Sequence, residues 1–225
     1  MNSKEMIKEF SQVDLKRREL KGYPEIIYGA HKTASQILAI SKQIDIVGQP
    51  VLITRLSKEK YLNIKNELPK GTYYEGGEIF YTRKQDQMGK GNVLILSAGT
   101  SDYKVVEEAA VTSEWLGCKT EIIQDVGVAG IHRLLSKIDK IRQASVIIVV
   151  AGMEGALPSV VSGLVEVPLI AVPTSVGYGA NLEGITTLLA MTTSCSSGVS
   201  IVNIDNGFGA AYQAALIIKL INKEV

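Results

Sequence analysis

A thiolate flanked by hydroxyls can act as a nucleophile that also leaves well, and Cys195 stands in such a segment, Thr193-Ser194-Cys195-Ser196-Ser197-Gly198. The same segment can also be ordinary packing after a helix, and Cys195 falls at the amino end of the strand that follows. Cys118, after Leu116-Gly117, opens another strand and reads as core packing. Glu154 lies in a glycine loop after an apolar strand, a setting open to partial burial and a raised pKa, as a general acid or base requires. Asp102 stands at a helix start, where it either caps the helix or faces a ligand. His31 and His132 are the only histidines, too few for a histidine-rich metal site, and His132 reads first as structural.

Five loops share a composition that brings backbone close to a ligand. They are Ser97-Ala98-Gly99-Thr100-Ser101-Asp102, Asp125-Val126-Gly127-Val128-Ala129-Gly130-Ile131-His132, Ala151-Gly152-Met153-Glu154-Gly155-Ala156, Pro173-Thr174-Ser175-Val176-Gly177-Tyr178-Gly179 and Asn203-Ile204-Asp205-Asn206-Gly207. Glycines and small residues expose N–H groups, and a helix start after such a loop favours phosphate. Converging on one rim, the five loops point to a nucleotide or sugar-phosphate site. None is a dinucleotide fingerprint: Gly127-Val128-Ala129-Gly130 lacks the G-x-G-x-x-G spacing. Gly29-Ala30-His31-Lys32-Thr33 ends like a phosphate loop but lacks the glycines of a Walker motif.

The elements that must position these loops follow from the apolar pattern. Residues 92–225 alternate short apolar runs with helical periodicity. Strands are expected at Val93–Ser97, Lys119–Gln124, Val146–Val150, Leu169–Val172 and Val199–Asn203, and helices at Asp102–Leu116, Ile131–Arg142, Leu157–Leu164, Leu182–Thr193 and Phe208–Ile221. Continuous apolar strands separated by helices predict a parallel sheet covered on both faces, with ligands outside the strands' carboxyl ends. Residues 1–85 are more charged and rich in tyrosine, and predict a small α+β domain. A first helix runs to about Leu20 and is broken by Gly22-Tyr23-Pro24; Thr33 caps a helix over Ala34–Ile46; and Ser57 caps Lys58–Leu68. Strands are expected at Val51–Leu56, at Tyr73-Tyr74 and at Glu78–Thr82, the last two around the Gly76-Gly77 turn. The polar, glycine-capped stretch Arg83–Gly91 reads as a linker.

Composition narrows the function classes. Hydrophobic residues make up 46% of the 225, enough for a sizeable core, and 24 basic side chains nearly cancel 23 acidic ones. A net charge of +1 gives no electrostatic case for nucleic acid; Lys16, Arg17, Arg18 and Lys21 form only a short solvated cluster. No run reaches the roughly 18 apolar residues of a membrane span, and no leader pattern opens the chain. Two cysteines make no disulfide framework. A soluble, reduced, cytoplasmic protein with no membrane and no nucleic-acid partner is the expectation.

Taken together, Ser-Ala-Gly-Thr-Ser-Asp (97–102), Asp-Val-Gly-Val-Ala-Gly-Ile-His-Arg (125–133), Ala-Gly-Met-Glu-Gly-Ala-Leu (151–157), Val-Pro-Thr-Ser-Val-Gly-Tyr-Gly (172–179) and Val-Asn-Ile-Asp-Asn-Gly-Phe-Gly-Ala-Ala (202–211) resemble the LarB family. Its members are pyridinium-3,5-biscarboxylic acid mononucleotide synthases of nickel-pincer cofactor biosynthesis. Gly-Tyr-Pro-Glu-Ile-Ile-Tyr-Gly (22–29), with Lys32-Thr33, is similar to that family's N-terminal signature. Leu20 and His31 depart from it, standing where the family often has an arginine and a glycine.

The resemblance implies an α/β fold: a C-terminal three-layer parallel-sheet domain of the PurE, flavodoxin-like type over 92–225, and the small N-terminal α+β domain over 1–85. It implies a homo-octamer with sites assembled between subunits, which would bring Cys195, matching the family's nucleophile, to a rim it does not reach within one chain. The implied substrate is nicotinic acid adenine dinucleotide, with carbon dioxide or bicarbonate as co-substrate and Mg2+ on the diphosphate. Cys195, Glu154 and Asp102 are the implied catalytic residues. Ser97, Gly99, Thr100, Ser101, Gly127, Val128, Ala129, Gly130, His132, Gly152, Met153, Ser175, Gly177, Tyr178, Gly179, Asp205 and Asn206 are the implied substrate-binding ones, with no metal ligands assigned. Lys32, with Arg17, Tyr23 and Tyr28, would cover the adenylate half. Two other readings stay open: an aminoimidazole ribonucleotide carboxylase of the PurE type, and a non-catalytic nucleotide-binding protein.

Overall fold

The computed structural model describes residues 11–223. The chain divides into two compact units, Met1–Gln85 and Asp86–Val225.

In the first unit, α1 (Arg17–Lys21) ends where Gly22 takes φ 79°, a left-handed cap that only glycine adopts without cost. Residues 11–16 of the expected longer first helix are not helical, and its remainder lies outside the described residues. β1 (Ile27–Tyr28) leads into α2 (Ala34–Ile46), which starts as expected: Thr33 Oγ1 accepts from Gln36 N, and the Gln36 side chain returns to Thr33 N. β2 (Leu52–Thr54) runs parallel to β1, so the three elements form a βαβ crossover. Ser57 caps α3 (Lys58–Ile64), which stops short of Leu68. β3 (Thr72–Tyr74) and β4 (Ile79–Tyr81) complete an antiparallel side, giving the order β1-β2-β4-β3. Ile37, Ile40 and Ile44 on one face of α2 meet Ile27, Ile53 and Phe80 in the core.

The second unit carries the alternating pattern. β5 (Val93–Ser97), α4 (Tyr103–Trp115), β6 (Thr120–Ile123), α5 (Ile131–Leu135), α6 (Ile138–Ile141), β7 (Val146–Ala151), α7 (Leu157–Ser162), β8 (Leu169–Pro173), α8 (Ile185–Thr192), β9 (Val199–Ile201) and α9 (Gly207–Ile221) follow one another. All five strands are parallel, in the order β6-β5-β7-β8-β9. The central strands β5, β7 and β8 are buried throughout, which is why they read as unbroken apolar runs. Leu94, Leu96, Ile147 and Val149 face the side covered by Leu134, Ile141, Leu157, Val161 and Met191 of α5 to α8. The alternate residues face the other side, where α4 and α9 pack on the sheet and on each other. Ala210, Ala211, Ala214 and Ala215 allow that close approach, and at Gly207 a Cβ would stand 2.5 Å from Val105 O.

Two expected helices differ. Ile131–Arg142 breaks into α5 and α6 because Ser136 Oγ turns back on Arg133 O, and Lys137 N closes a tight turn on Leu134 O. The helix expected from Leu182 begins at Ile185, since Leu182, Glu183 and Gly184 all take positive φ. Gly184 is pressed against Thr174 O, which a Cβ would approach to 2.8 Å. Among the described residues no helix is long and apolar enough to cross a membrane.

Candidate active site

Strand order changes direction between β5 and β7, and in open parallel sheets a crevice forms at that point beyond the strands' carboxyl ends. A cavity of about 250 Å³ lies there, lined from three directions. Ala98, Gly99, Ser101 and Asp102 come from the loop after β5; Gly127, Val128, Ala129 and Arg133 from the loop after β6 and α5; and residues between Ala151 and Leu157 from the loop after β7. Val176 closes it from the β8 loop.

Loop contact explains the glycines. A Cβ on Gly127 would stand 2.7 Å from Ala98 O, and one on Gly152 would stand 2.3 Å from Val176 O, so both positions need glycine for the loops to touch. Met153 takes φ 49° between them; its N–H donates to Val176 O, and its carbonyl accepts from Asn181 Nδ2 and Thr187 Oγ1.

Asp102 is 3% exposed, yet it faces this cavity. Its Oδ2 accepts from Gly99 N at 3.0 Å and its Oδ1 from Thr174 Oγ1 at 2.8 Å. Burial pushes its carboxyl pKa above the usual range; the two hydrogen bonds oppose that, and the charge of Asp205 adds to it. Its side chain makes no bond to the α4 N-terminus but accepts the Gly99 N–H that opens the 3-10 turn Thr100–Asp102 leading into α4, so it caps that turn and also lines the cavity. Arg133 supplies the cation of the cavity, with Nη1 2.6 Å from Asp125 Oδ2. Sequence reasoning did not single out Arg133; its signal was a guanidinium on the first helical turn after a glycine loop.

Glu154 lines the cavity but is exposed, so the expected partial burial does not hold: Gly155 at φ 67° turns the chain and leaves the carboxylate at the mouth. The cavity also gathers Gly99, Ser101, Gly127, Val128, Ala129, Gly152 and Met153 of the expected binding residues. It does not gather the others. Thr100 and His132 are exposed outside it, and Gly130 packs against the Arg133 side chain. Ser97 Oγ accepts from Asp125 N. Ser175 N donates to Asp205 Oδ1, and Asn206 caps α9 through Gly209 N, so these polar groups serve the loops themselves. Gly177, Tyr178 and Gly179 project into solvent, Tyr178 at 82% exposure.

The two thiols contrast. Cys118 is buried, and desolvation pushes its pKa to about 12, which keeps it an inert thiol. Cys195 is exposed in the loop between α8 and β9. Its neighbours are fastened, Ser194 Oγ to Ser159 Oγ at 2.7 Å and Ser197 O to Ser162 Oγ at 2.9 Å, while Cys195 lies outside the lining of the cavity. In the first unit, Lys32 is half-buried and Tyr28 is exposed beneath the Arg55 guanidinium. Tyr23 is buried, and Arg17 pairs with Asp14 and Glu25, so these two do not present free groups. Among the described residues no group of three or more His, Cys, Asp or Glu side chains could hold a metal ion.

Comparison with known proteins agrees with this architecture. Residues 4–85 match the family model for the LarB/PurE-like N-terminal domain, and residues 92–225 match that for AIR carboxylase. The chain belongs to the LarB family. Its second unit is thus a domain of carboxylase type. An uncharacterized protein of Methanocaldococcus jannaschii is 40% identical over 99% of this chain and 90% of its own length. A probable N5-carboxyaminoimidazole ribonucleotide mutase of Methanothermobacter thermautotrophicus is 33% identical over 57% of this LarB-family chain, which spans only 38% of that relative. Crystal structures of Treponema denticola PurE and of a PurE2 variant from the same organism are similar at 23% and 24% identity and TM-scores of 0.49 and 0.48. They cover 58% and 59% of this chain and 82% of their own.

Proposed function

We propose that this LarB-family protein carboxylates carbon 5 of the pyridinium ring of nicotinic acid adenine dinucleotide and hydrolyses its phosphoanhydride. The products are pyridinium-3,5-biscarboxylic acid mononucleotide and AMP. The observation that carries the reading is the exposure of Cys195 in a LarB-family chain whose other thiol is sealed and protonated.

Carbon 5 of the cationic ring is too electron-poor to attack carbon dioxide. Addition of the Cys195 thiolate at carbon 4 turns the ring into a dihydropyridine and makes carbon 5 the nucleophilic end of an enamine. Carbon 5 then bonds to carbon dioxide, with the ring nitrogen becoming an iminium. A base takes the carbon 5 proton, and the nitrogen lone pair expels the thiolate to restore the aromatic cation. Glu154 at the cavity mouth is the proposed base. Arg133 and the loop N–H groups hold the mononucleotide phosphate. Water cleaves the phosphoanhydride to release AMP; magnesium belongs to this proposal as an ion carried by the diphosphate.

The thiol and the cavity belong to different ends of β9 and β5, so the proposal requires a neighbouring copy to supply Cys195, as in a homo-octamer. Two features support this. Ligand pockets commonly run from roughly 300 to 1,000 Å³, above the cavity of one chain. Leu182, Ile185 and Leu189 stand exposed on the stretch that leads to Cys195, a surface a second copy would cover.

Incubation with nicotinic acid adenine dinucleotide, bicarbonate and magnesium should give AMP and the dicarboxylated mononucleotide, and mass spectrometry should find a ring adduct on Cys195. Carboxylated aminoimidazole ribonucleotide as the sole product of parallel incubations would overturn the reading.

A further inference from the structure

We propose that Thr174 is a positioning residue of the cavity, its hydroxyl holding Asp102 in the orientation that faces a bound ligand. Thr174 is fully buried just beyond β8, 72 residues from Asp102 in sequence, and it joins the first loop of the rim to the fourth. The side chain has no room to turn. A Cβ on Gly152 would stand 2.7 Å from Thr174 Oγ1, and Thr174 N donates to Ala151 O, so the hydroxyl is walled in by the β7 loop. A β-branched residue so confined keeps one rotamer.

Asp102 is held by two donors, Gly99 N on Oδ2 and Thr174 Oγ1 on Oδ1. A carboxylate offers about four acceptor positions, so about two stay available to a ligand hydroxyl or a water. The Gly99 bond lies within Asp102's own turn and moves with it; the Thr174 bond alone ties the carboxylate to the sheet. Both bonds favour the ionised form against the burial that disfavours it. Charged groups around Asp102 are Asp205 on the loop before α9, Arg133 and Glu154 across the cavity, and Glu108 further along α4, which accepts from Phe208 N. Asp205 is itself fastened to Ser175 N, next to Thr174, so the fifth loop is tied to the fourth at the same corner.

That Asp102 contacts substrate rests on the proposed reaction; that Thr174 orients Asp102 does not. The test is a carbon-13 carboxyl titration of aspartate-labelled protein, wild type against Thr174→Val and Thr174→Ser, with nicotinic acid mononucleotide binding by calorimetry. The valine variant should raise the Asp102 midpoint by about one pH unit and weaken the mononucleotide about tenfold, while the serine variant stays within about twofold. Thr174→Ala should shift the midpoint in the same direction and replaces the valine variant if that does not fold. An unchanged midpoint in the hydroxyl-free variants, or an equal loss in the serine variant, overturns the proposal. A midpoint shift in the valine variant together with no turnover of the dinucleotide by wild type rejects the reaction and leaves Thr174 its role.

Discussion

Arg133 Nη1 lies 2.6 Å from Asp125 Oδ2, and this pair sets a guanidinium of the cavity lining at its edge. Both partners are more than a third exposed, so the pair adds little to stability; its consequence is orientation.

Arg133→Ala is therefore expected to weaken nicotinic acid mononucleotide about 10- to 100-fold by calorimetry, the range of a lost charge-assisted phosphate bond. The thermal midpoint should stay within about 3 °C. Loss of the nucleoside lacking phosphate to the same degree would show that Arg133 does not read the phosphate.

Cys195→Ala should abolish carboxylation and the ring adduct while leaving the melting profile intact, because an exposed thiol contributes little packing. Iodoacetamide on native protein should label Cys195 and spare Cys118 until unfolding. Retained turnover in the alanine variant would dismiss covalent catalysis.

Cys118 gives a pH-dependent signal of opposite character. Its folded pKa of about 12 exceeds the ordinary thiol value of 9.0 because burial disfavours the thiolate. The folded state therefore keeps a proton that the unfolded chain gives up above pH 9. The contribution is fully present below that pH and is lost as pH rises toward 12, by about 1.4 kcal/mol per unit. Unfolding free energies from urea titrations of wild type and Cys118→Ala should converge by about 2 kcal/mol between pH 7.5 and 10.5.

Much of the fold was legible because burial on both faces leaves an unambiguous mark. Val93–Ser97 and Val146–Ala151 have no polar interruption before the final serine of the first, and their boundaries follow from that. The α2 cap was readable from Thr33 and Gln36, whose chemistry acts within one turn. The broken helix at Ser136 and the late start of α8 were not readable, since a serine back-bond and the left-handed Leu182 and Glu183 are settled by neighbouring loops. The cavity followed the glycine pattern at Gly99, Gly127 and Gly152. Thr174 escaped notice because its partner Asp102 is distant in sequence, and Arg133 because its side chain reaches back over Gly130.

Asn181 fixes the backbone that presents Glu154. Its Nδ2 donates to Met153 O at 2.9 Å and to Thr187 Oγ1 at 2.8 Å, and its Oδ1 accepts from Gly184 N at 2.8 Å. Asn181→Leu keeps the branched shape and strands Gly184 N, while Met153 O and Thr187 Oγ1 keep their bond to each other, so a loss of about 2 kcal/mol in urea unfolding is expected. Turnover should fall about tenfold through kcat, because Met153 leaves its left-handed turn and Glu154 moves from the mouth. A fall carried by KM alone would place Asn181 in substrate binding instead.

Ile185 and Leu189 lie one helical turn apart on α8, are 46% and 58% exposed, and precede Cys195 by less than three turns of chain. On an isolated chain their replacement by charge removes apolar surface from water and should not unfold it. If a second copy covers them, Leu189→Glu buries an unpaired carboxylate at the contact and costs several kcal/mol per interface. Sedimentation should then show smaller species for Leu189→Glu than for wild type, with the melting profile of the remaining chain little changed. Carboxylation should disappear with the assembly, since no single chain brings its own thiol to its own cavity. Mixing Cys195→Ala with Arg133→Ala subunits should restore part of the activity, because some sites then pair an intact cavity with an intact thiol. Full activity in a monomeric Leu189→Glu variant would mean that the thiol reaches the cavity within one chain.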